Sequence, residues 1–328
     1  MADLSTSYMG LTLRNPIIAG SSGLTNSIEN IQKIYEAGAG AIVLKSLFEE
    51  QIQAVVNRTF NQNEDNYSYP EALDYISHYT REQDLERYLK LIRDAKAAVP
   101  IPIIASINCV SAAEWVTFAK SIQEAGADAI ELNIFILPSD PRRKAEQQEQ
   151  VYFEIIQSVM RQVKIPVAAK ISYYFSGLAN MALQLSWTGI KGMVLFNRFY
   201  SPDIDIDTFE LTTGHVFSEP GENALTLRWV AMLSDKIQCD IAASTGIHDG
   251  QTVIKQMLAG AKAVQVASVL YKKGFEQIGI MLKDMETWMD KNEFQSTKDF
   301  TGKLSQREMP NPAAYERVQF MKHFAGIE

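Results

Sequence analysis

Cysteine and histidine are scarce in this chain, with two cysteines (Cys109 and Cys239) and four histidines in 328 residues. An iron–sulfur cluster held by thiolates takes about four cysteines, so this chain cannot ligate one alone. Neither cysteine sits at a metal-ligand spacing. Both read as reduced, packed thiols, and a cytoplasmic location is expected. Positive charge is also in short supply. Lys and Arg total 31 against 39 Asp and Glu, giving a formal net charge of −8 and a pI near 5.2. That balance argues against a nucleic-acid or anionic-membrane surface. No apolar run reaches the ~18 residues of a membrane helix. The segment Met1–Leu13 (MADLSTSYMGLTL) carries an acid early and no basic stretch before an apolar one, so no signal peptide is expected. Low-complexity segments are absent.

What is present is alternation. Short apolar runs read as strands at Pro16–Ala19, Ala41–Leu44, Pro102–Ile107, Ala129–Leu132, Pro166–Ile171, Gly192–Phe196, Asp240–Ala243 and Ala263–Val266. Helical segments lie between them: Ser27–Ala37, Asp84–Ala98, Ala112–Glu124, Glu146–Gln162, Gly177–Ser186, Ala224–Leu233 and Gln251–Leu258. Lys272–Lys291 follows the last strand. Eight strands each followed by a helix predict an α/β fold, a (β/α)8 TIM barrel. Tyr35–Ala41, Gln123–Asp128 and Met257–Ala263 each end a helix on glycine before a strand. Residues 1–328 read as one domain. Ser5–Leu13 is expected to form an N-terminal hairpin closing the barrel bottom. The long polar stretches 48–80 and 198–223 are expected to be lids or walls of the site, and a tail follows Leu304.

The stretch Asp240–Leu270 is the most telling. Two late strands end in small residues, at Thr245-Gly246 and Ala267-Ser268, and each opens onto a helix. Barrels commonly hold a phosphate at such a place. Active sites of these barrels lie where strands end, which selects Gly20, Ser21, Ser22, Lys45, Asn108, Asn133, Lys170 and Asn197. A lysine or asparagine at the end of an apolar run is costly unless partnered. Together they would present donors to a polar, electron-rich, planar ligand.

These residues resemble the dihydroorotate dehydrogenase family, class 1. The matching runs are Asn15–Ser22 (NPIIAGSS), Lys45-Ser46, Ser111–Glu114 (SAAE), Glu131–Asn133 (ELN), Lys170 with Tyr174-Phe175, Asn197, Ser244–Gly246 and Asp299–Leu304 (DFTGKL). The resemblance covers roughly residues 7–304. It implies an FMN-bearing barrel that oxidises dihydroorotate to orotate in pyrimidine synthesis, with hydride passing to flavin N5. Carried over by position, Lys45 would contact flavin and substrate, with Ser46 beside it. Asn66 would orient the substrate from the lid. Asn133 and Asn197 would bind the substrate's carboxylate and ring amides, and Asn108 would join them at the cofactor. Lys170 would sit near the flavin N1–O2 edge, where positive charge stabilises the reduced form. Gly20 and Ser21 would lie along the ring, and Thr245, Gly246, Ala267 and Ser268 would hold the phosphate. Class 1 also implies a homodimer and a soluble electron acceptor, and leaves open a partner subunit carrying FAD and an iron–sulfur cluster.

The departures are specific. The family's base, a cysteine in class 1, falls on Ile136, which cannot accept a proton. General-base assistance is worth about 10²–10⁴-fold. Phe135 replaces a small polar neighbour. Arg198 replaces a small hydroxyl residue and offers a cation that could clamp a carboxylate. Cys109, Tyr173, Tyr174, Tyr67 and Tyr69 are alternative proton-transfer candidates, and His248 reads as a capping or solvated residue. Ile136 also motivates a non-catalytic flavin-binding barrel with a regulatory or structural role. The two lysines motivate a Schiff-base aldolase or isomerase.

Overall fold

The computed structural model describes residues 2–48, 70–109, 115–198 and 202–316. Asn66, Tyr67, Tyr69 and Ser111–Glu114 lie outside the described residues, as does the side chain of Cys109.

The chain begins with a hairpin, β1 (Thr6–Tyr8) and β2 (Leu11–Leu13). Strand–helix units follow: β3 (Ile17–Ala19), α1 (Ile28–Glu36), β4 (Ala41–Val43), a short β5 (Leu47–Phe48), α2 (Pro70–Ala98), β6 (Ile103–Cys109), α3 (Trp115–Glu124), β7 (Ala129–Ile134), α4 (Ala145–Met160), β8 (Val167–Ile171), α5 (Leu178–Ser186) and β9 (Gly192–Leu195). A second hairpin, β10 (Pro202–Asp205) and β11 (Glu210–Thr213), precedes α6 (Asn223–Leu233). The last units are β12 (Asp240–Ser244), α7 (Gly250–Ala259), β13 (Ala263–Val266), α8 (Ser268–Lys273) and α9 (Gln277–Lys291).

Eight strands pair in parallel in the order β4-β3-β13-β12-β9-β8-β7-β6, and β6 returns to β4 through Ile42↔Ile103. The closed (β/α)8 barrel expected from the alternation is therefore formed. Side chains alternate between two apolar environments. Ile17, Ile42, Ile103, Ile130, Val167 and Met193 face the helices. Ile18, Val43, Ile104, Ala168, Val194 and Ala242 fill the lower interior, which Tyr8, Met9 and Leu13 of the first hairpin close from below. Strands buried on both faces give apolar runs rather than alternation, which is why the sequence shows strands but not their inward face. One inward position further up the pleat, the character changes to Ser106, Glu131, Lys170 and Gln265, all buried. The polar mouth of the barrel starts there.

Local signals explain the element ends. Ser27 accepts a hydrogen bond from Asn30 N at the start of α1, and Asp249 accepts one from Thr252 N at 2.7 Å at the start of α7. The expected helix-ending glycines, Gly38, Gly126 and Gly260, all have positive φ. Some expected boundaries move. Helix α2 begins at Pro70, not Asp84, so the upper part of the expected lid is helix; its polar sequence lacks the apolar stripe that marks an amphipathic helix. Asn108 and Asn133 lie within β6 and β7 rather than just past them. The second expected lid contains β10, β11 and a 3-10 turn at Pro220–Glu222. Among the described residues no helix is long and apolar enough to cross a membrane.

Candidate active site

The carboxyl ends of the strands open into a cavity of about 580 Å3. Ser21, Lys45, Ser46 and Asn133 line one side of it, Lys170, Asn197 and Arg198 the next, and Thr245, Gly246, Ala267 and Ser268 the far side. The volume falls in the ~300–1,000 Å3 range of small-molecule and cofactor sites.

Lys170, on β8, points inward at the floor and is 9% exposed. Its Nζ donates to Gln265 Oε1 at 2.9 Å and lies 3.8 Å from Glu131 Oε1. Gln265 Nε2 in turn donates to Glu131 Oε2. An amine engaged in this way is suited to a charge role rather than to Schiff-base chemistry. Above it, Asn197 Nδ2 donates to Asn133 Oδ1 at 2.6 Å, so an amide just past β9 meets one on β7 at the mouth. Asn108 is buried, and its Oδ1 has no hydrogen-bond partner among the described residues. Buried polar atoms are normally satisfied, and this one sits on β6 directly across from Asn133, which lines the cavity.

Hydroxyls form a chain on the Ser21–Ser46 side. Ser21 Oγ lies 3.0 Å from Ser46 Oγ and accepts from Ser46 N at 2.9 Å; Ser46 Oγ lies 2.7 Å from Ser106 Oγ. The chain is anchored from α2, where Tyr88 OH donates to Ser106 O at 3.0 Å. Gly20 sits against Gln265 and Val266, its N donating to Val266 O at 2.9 Å.

The small-residue side has a strained turn. Thr245 has φ +80° and Gly246 φ +73°. A β-branched residue with positive φ is a genuine outlier, of a kind that costs about 1–3 kcal/mol and clusters at functional sites. Thr245 Oγ1 donates to Phe196 O at 3.2 Å and ties the turn to the neighbouring strand end. Gly246 presses on the start of α6: a Cβ there would lie 2.3 Å from Asn223 N. The strap after β11 closes this side. Ser218 N donates to Ser268 Oγ at 3.0 Å, and Lys272 Nζ donates to Ser218 O at 3.1 Å and to Glu219 Oε1 at 2.6 Å.

Three expectations change here. His248 is not a solvated or capping residue: it is 5% exposed, with Nε2 3.1 Å from Ser218 Oγ, while Asp249 caps the helix. Burial, followed by the nearby Lys272, holds its pKa below 6.5. Arg198 borders the cavity, but its guanidinium is engaged by Glu222 Oε2 at 2.8 Å and Val216 O at 3.0 Å. Ile136 does not line this cavity. It lines a neighbouring one of about 640 Å3 with Tyr152, Tyr173, Tyr174 and Phe175. Two of the phenols there, Tyr173 and Tyr152, stay protonated and so cannot accept a proton. A hydrogen bond with Tyr174, then burial, push Tyr173 up to about 12, and burial pushes Tyr152 up to about 12. Glu131, Ser106 and Gln265 were not selected from the sequence. Stepping back two residues from Asn133, Asn108 and Ala267 along each pleat would have found them.

A closed parallel barrel with buried lysine and amide donors at its mouth, facing a strained small-residue turn, belongs to the class of ligand-binding barrel enzymes. The sequence model of the family described as dihydroorotate dehydrogenase matches residues 3–289. The chain belongs to that family, one of oxidoreductases. It is 27% identical over 315 residues to the "Dihydroorotate dehydrogenase B (NAD(+)), catalytic subunit" of Thermoplasma acidophilum, covering 92% of this chain and 99% of that protein. Proteins of the same description from Pyrococcus abyssi (26% over 308 residues, 91% and 98% covered) and Methanothermobacter thermautotrophicus (26% over 315 residues, 91% and 97% covered) are also similar.

Proposed function

We propose that this chain is an FMN-dependent dehydrogenase that oxidises dihydroorotate, or a related planar anionic substrate, to its unsaturated product. The observation that carries the reading is Lys170, a buried cation at the cavity floor held by Gln265 and Glu131. The residues present fit the cofactor. The unsatisfied Asn108 Oδ1 offers an acceptor to a ring N–H. Gly246 leaves no room for a Cβ, and Thr245, Ala267 and Ser268 leave backbone and small side chains toward a phosphate. Gly20, Ser21 and Ser46 would lie along the ring.

When bound, FMN supplies the hydride acceptor. The protein's own part is binding and charge. Lys170 would supply positive charge near the part of the ring that becomes negative on reduction. Lys45 and the Asn133–Asn197 pair orient the substrate's carboxylate and amides, with Asn66 assigned the same task from outside the described residues. Arg198, tied to Glu222, holds the strap that covers the site. No side chain at Ile136 can take the proton, so oxidation of dihydroorotate is slow compared with that of an enzyme carrying a base there.

The relatives are named as catalytic subunits of NAD(+) enzymes, which supports a soluble electron acceptor, delivered by a partner subunit, for this chain as well. The exposed apolar face of the β10–β11 hairpin supports a homodimer. The visible spectrum of the purified protein, before and after anaerobic addition of dihydroorotate, tests the reading. Flavin absorbance that bleaches slowly is expected. A colourless protein that takes up no added FMN would overturn it.

A further inference from the structure

The barrel interior holds a carboxylate to which the reading above gives no part beyond its contact with Lys170. Glu131 is 1% exposed, one inward position below Asn133 on β7. Its Oε2 accepts from Gln265 Nε2, while Oε1 accepts no hydrogen bond among the described residues and lies 3.8 Å from Lys170 Nζ. Gln265 comes from β13, which is not a neighbour of β7 or β8 in the sheet. It reaches across the barrel, accepting from Lys170 at 2.9 Å with one end of its amide and donating to Glu131 with the other. A buried carboxylate with one oxygen left unsatisfied is a poor stabilising device. An amide that engages both groups at once does serve another purpose: it holds the ammonium 3.8 Å from the nearer carboxylate oxygen, short of hydrogen-bond contact, and leaves it facing the cavity.

We propose that Gln265 and Glu131 are positioning residues that hold the Lys170 ammonium at the cavity face and set how much of its charge the cofactor feels, and so tune the cofactor's reduction potential. The inference rests on the FMN reading. Reduction of FMN builds up negative charge, and nearby protein charge tunes it. Removing the amide lets the ammonium fall onto Glu131, and the two charges cancel away from the cavity. Removing the carboxylate's charge leaves the ammonium unbalanced. The two changes must move the potential in opposite directions, which a merely structural role would not do.

The test is the midpoint potential of FMN bound to the full-length protein, measured by equilibration with reference dyes, in wild type, Gln265→Met and Glu131→Gln, each with and without Lys170→Met. The expected result is a lower potential for Gln265→Met and a higher one for Glu131→Gln. Each should shift by about tenfold in the two-electron equilibrium, ~30 mV, and each should shrink by more than half in the Lys170→Met background. Should Glu131→Gln fail to fold, a Lys170-dependent fall in Gln265→Met alone still supports the inference. Shifts of the same sign, or of undiminished size without Lys170, overturn it while leaving FMN binding intact. A wild-type protein that binds no FMN overturns both this inference and the reading beneath it.

Discussion

At the residue scale, the site combines well-placed cations with a missing base. In the proposed reading the base position falls on Ile136, which borders the neighbouring cavity, and Tyr152 and Tyr173 beside it are held protonated. Ile136→Cys should therefore raise orotate formation from dihydroorotate by at least roughly tenfold, within the 10²–10⁴ ceiling of base catalysis. The gain should grow with pH as the thiol ionises, followed by orotate absorbance. His248 gives a second residue-level prediction. Its folded pKa lies below 6.5 because burial disfavours the charged form. The unfolded chain therefore binds the proton more readily. The associated stability is fully present above pH 6.5 and is lost as the pH falls through the folded value. Thermal melts from pH 7.5 to 5.5 should show a falling Tm, and His248→Gln, which keeps a hydrogen-bonding group for Ser218, should flatten that slope. The candidate residues at strand ends were legible because lysine and asparagine stand out after apolar runs. Glu131 and Gln265 were not, because a polar residue inside a strand carries no mark of which way it faces until the barrel closes.

At the element scale, turns do the positioning. The Thr245-Gly246 turn is bent into a conformation that β-branched residues avoid and is pressed against the first residue of α6. Gly246→Ala adds a methyl that would sit 2.3 Å from Asn223 N at positive φ. It should destabilise the fold by about 2–4 kcal/mol and weaken FMN binding, read by urea unfolding and by flavin titration. The sequence announced most elements through their caps and glycine stops. It missed the start of α2 because the polar sequence there lacks an apolar stripe. It missed β10 and β11 because every residue of both strands but Asp205 is exposed, so no burial pattern shaped their composition.

At the scale of the whole molecule, the β10–β11 hairpin stands apart. Ile204 pairs across to Leu211 on one face, whereas Asp203 and the Asp205–Glu210 pair occupy the other. Ile204, Ile206, Phe209 and Leu211 are 65–88% exposed. An isolated two-stranded hairpin is marginal in water, and a second copy stacking on its apolar face would leave the acids outward. Light scattering should report a dimer for wild type and a monomer for Leu211→Lys. The Tm of wild type should rise with protein concentration and that of Leu211→Lys should not, since the side chain is buried against nothing within the chain and only the partner stabilises it. A monomeric wild type would remove the dimer from the proposal.

The sequence by itself determined the barrel, the order of its units and the residues at the strand ends. Apolar runs, helix stops and small-residue turns are local signals, each set by the backbone chemistry of a few residues. Only the tertiary structure decided which cations are free to act. Arg198 is bound to Glu222, Lys170 is balanced by a carboxylate and held by an amide from across the barrel, and His248 is buried. Those pairings join residues far apart in the chain, and closure of the eight strands is what brings them together.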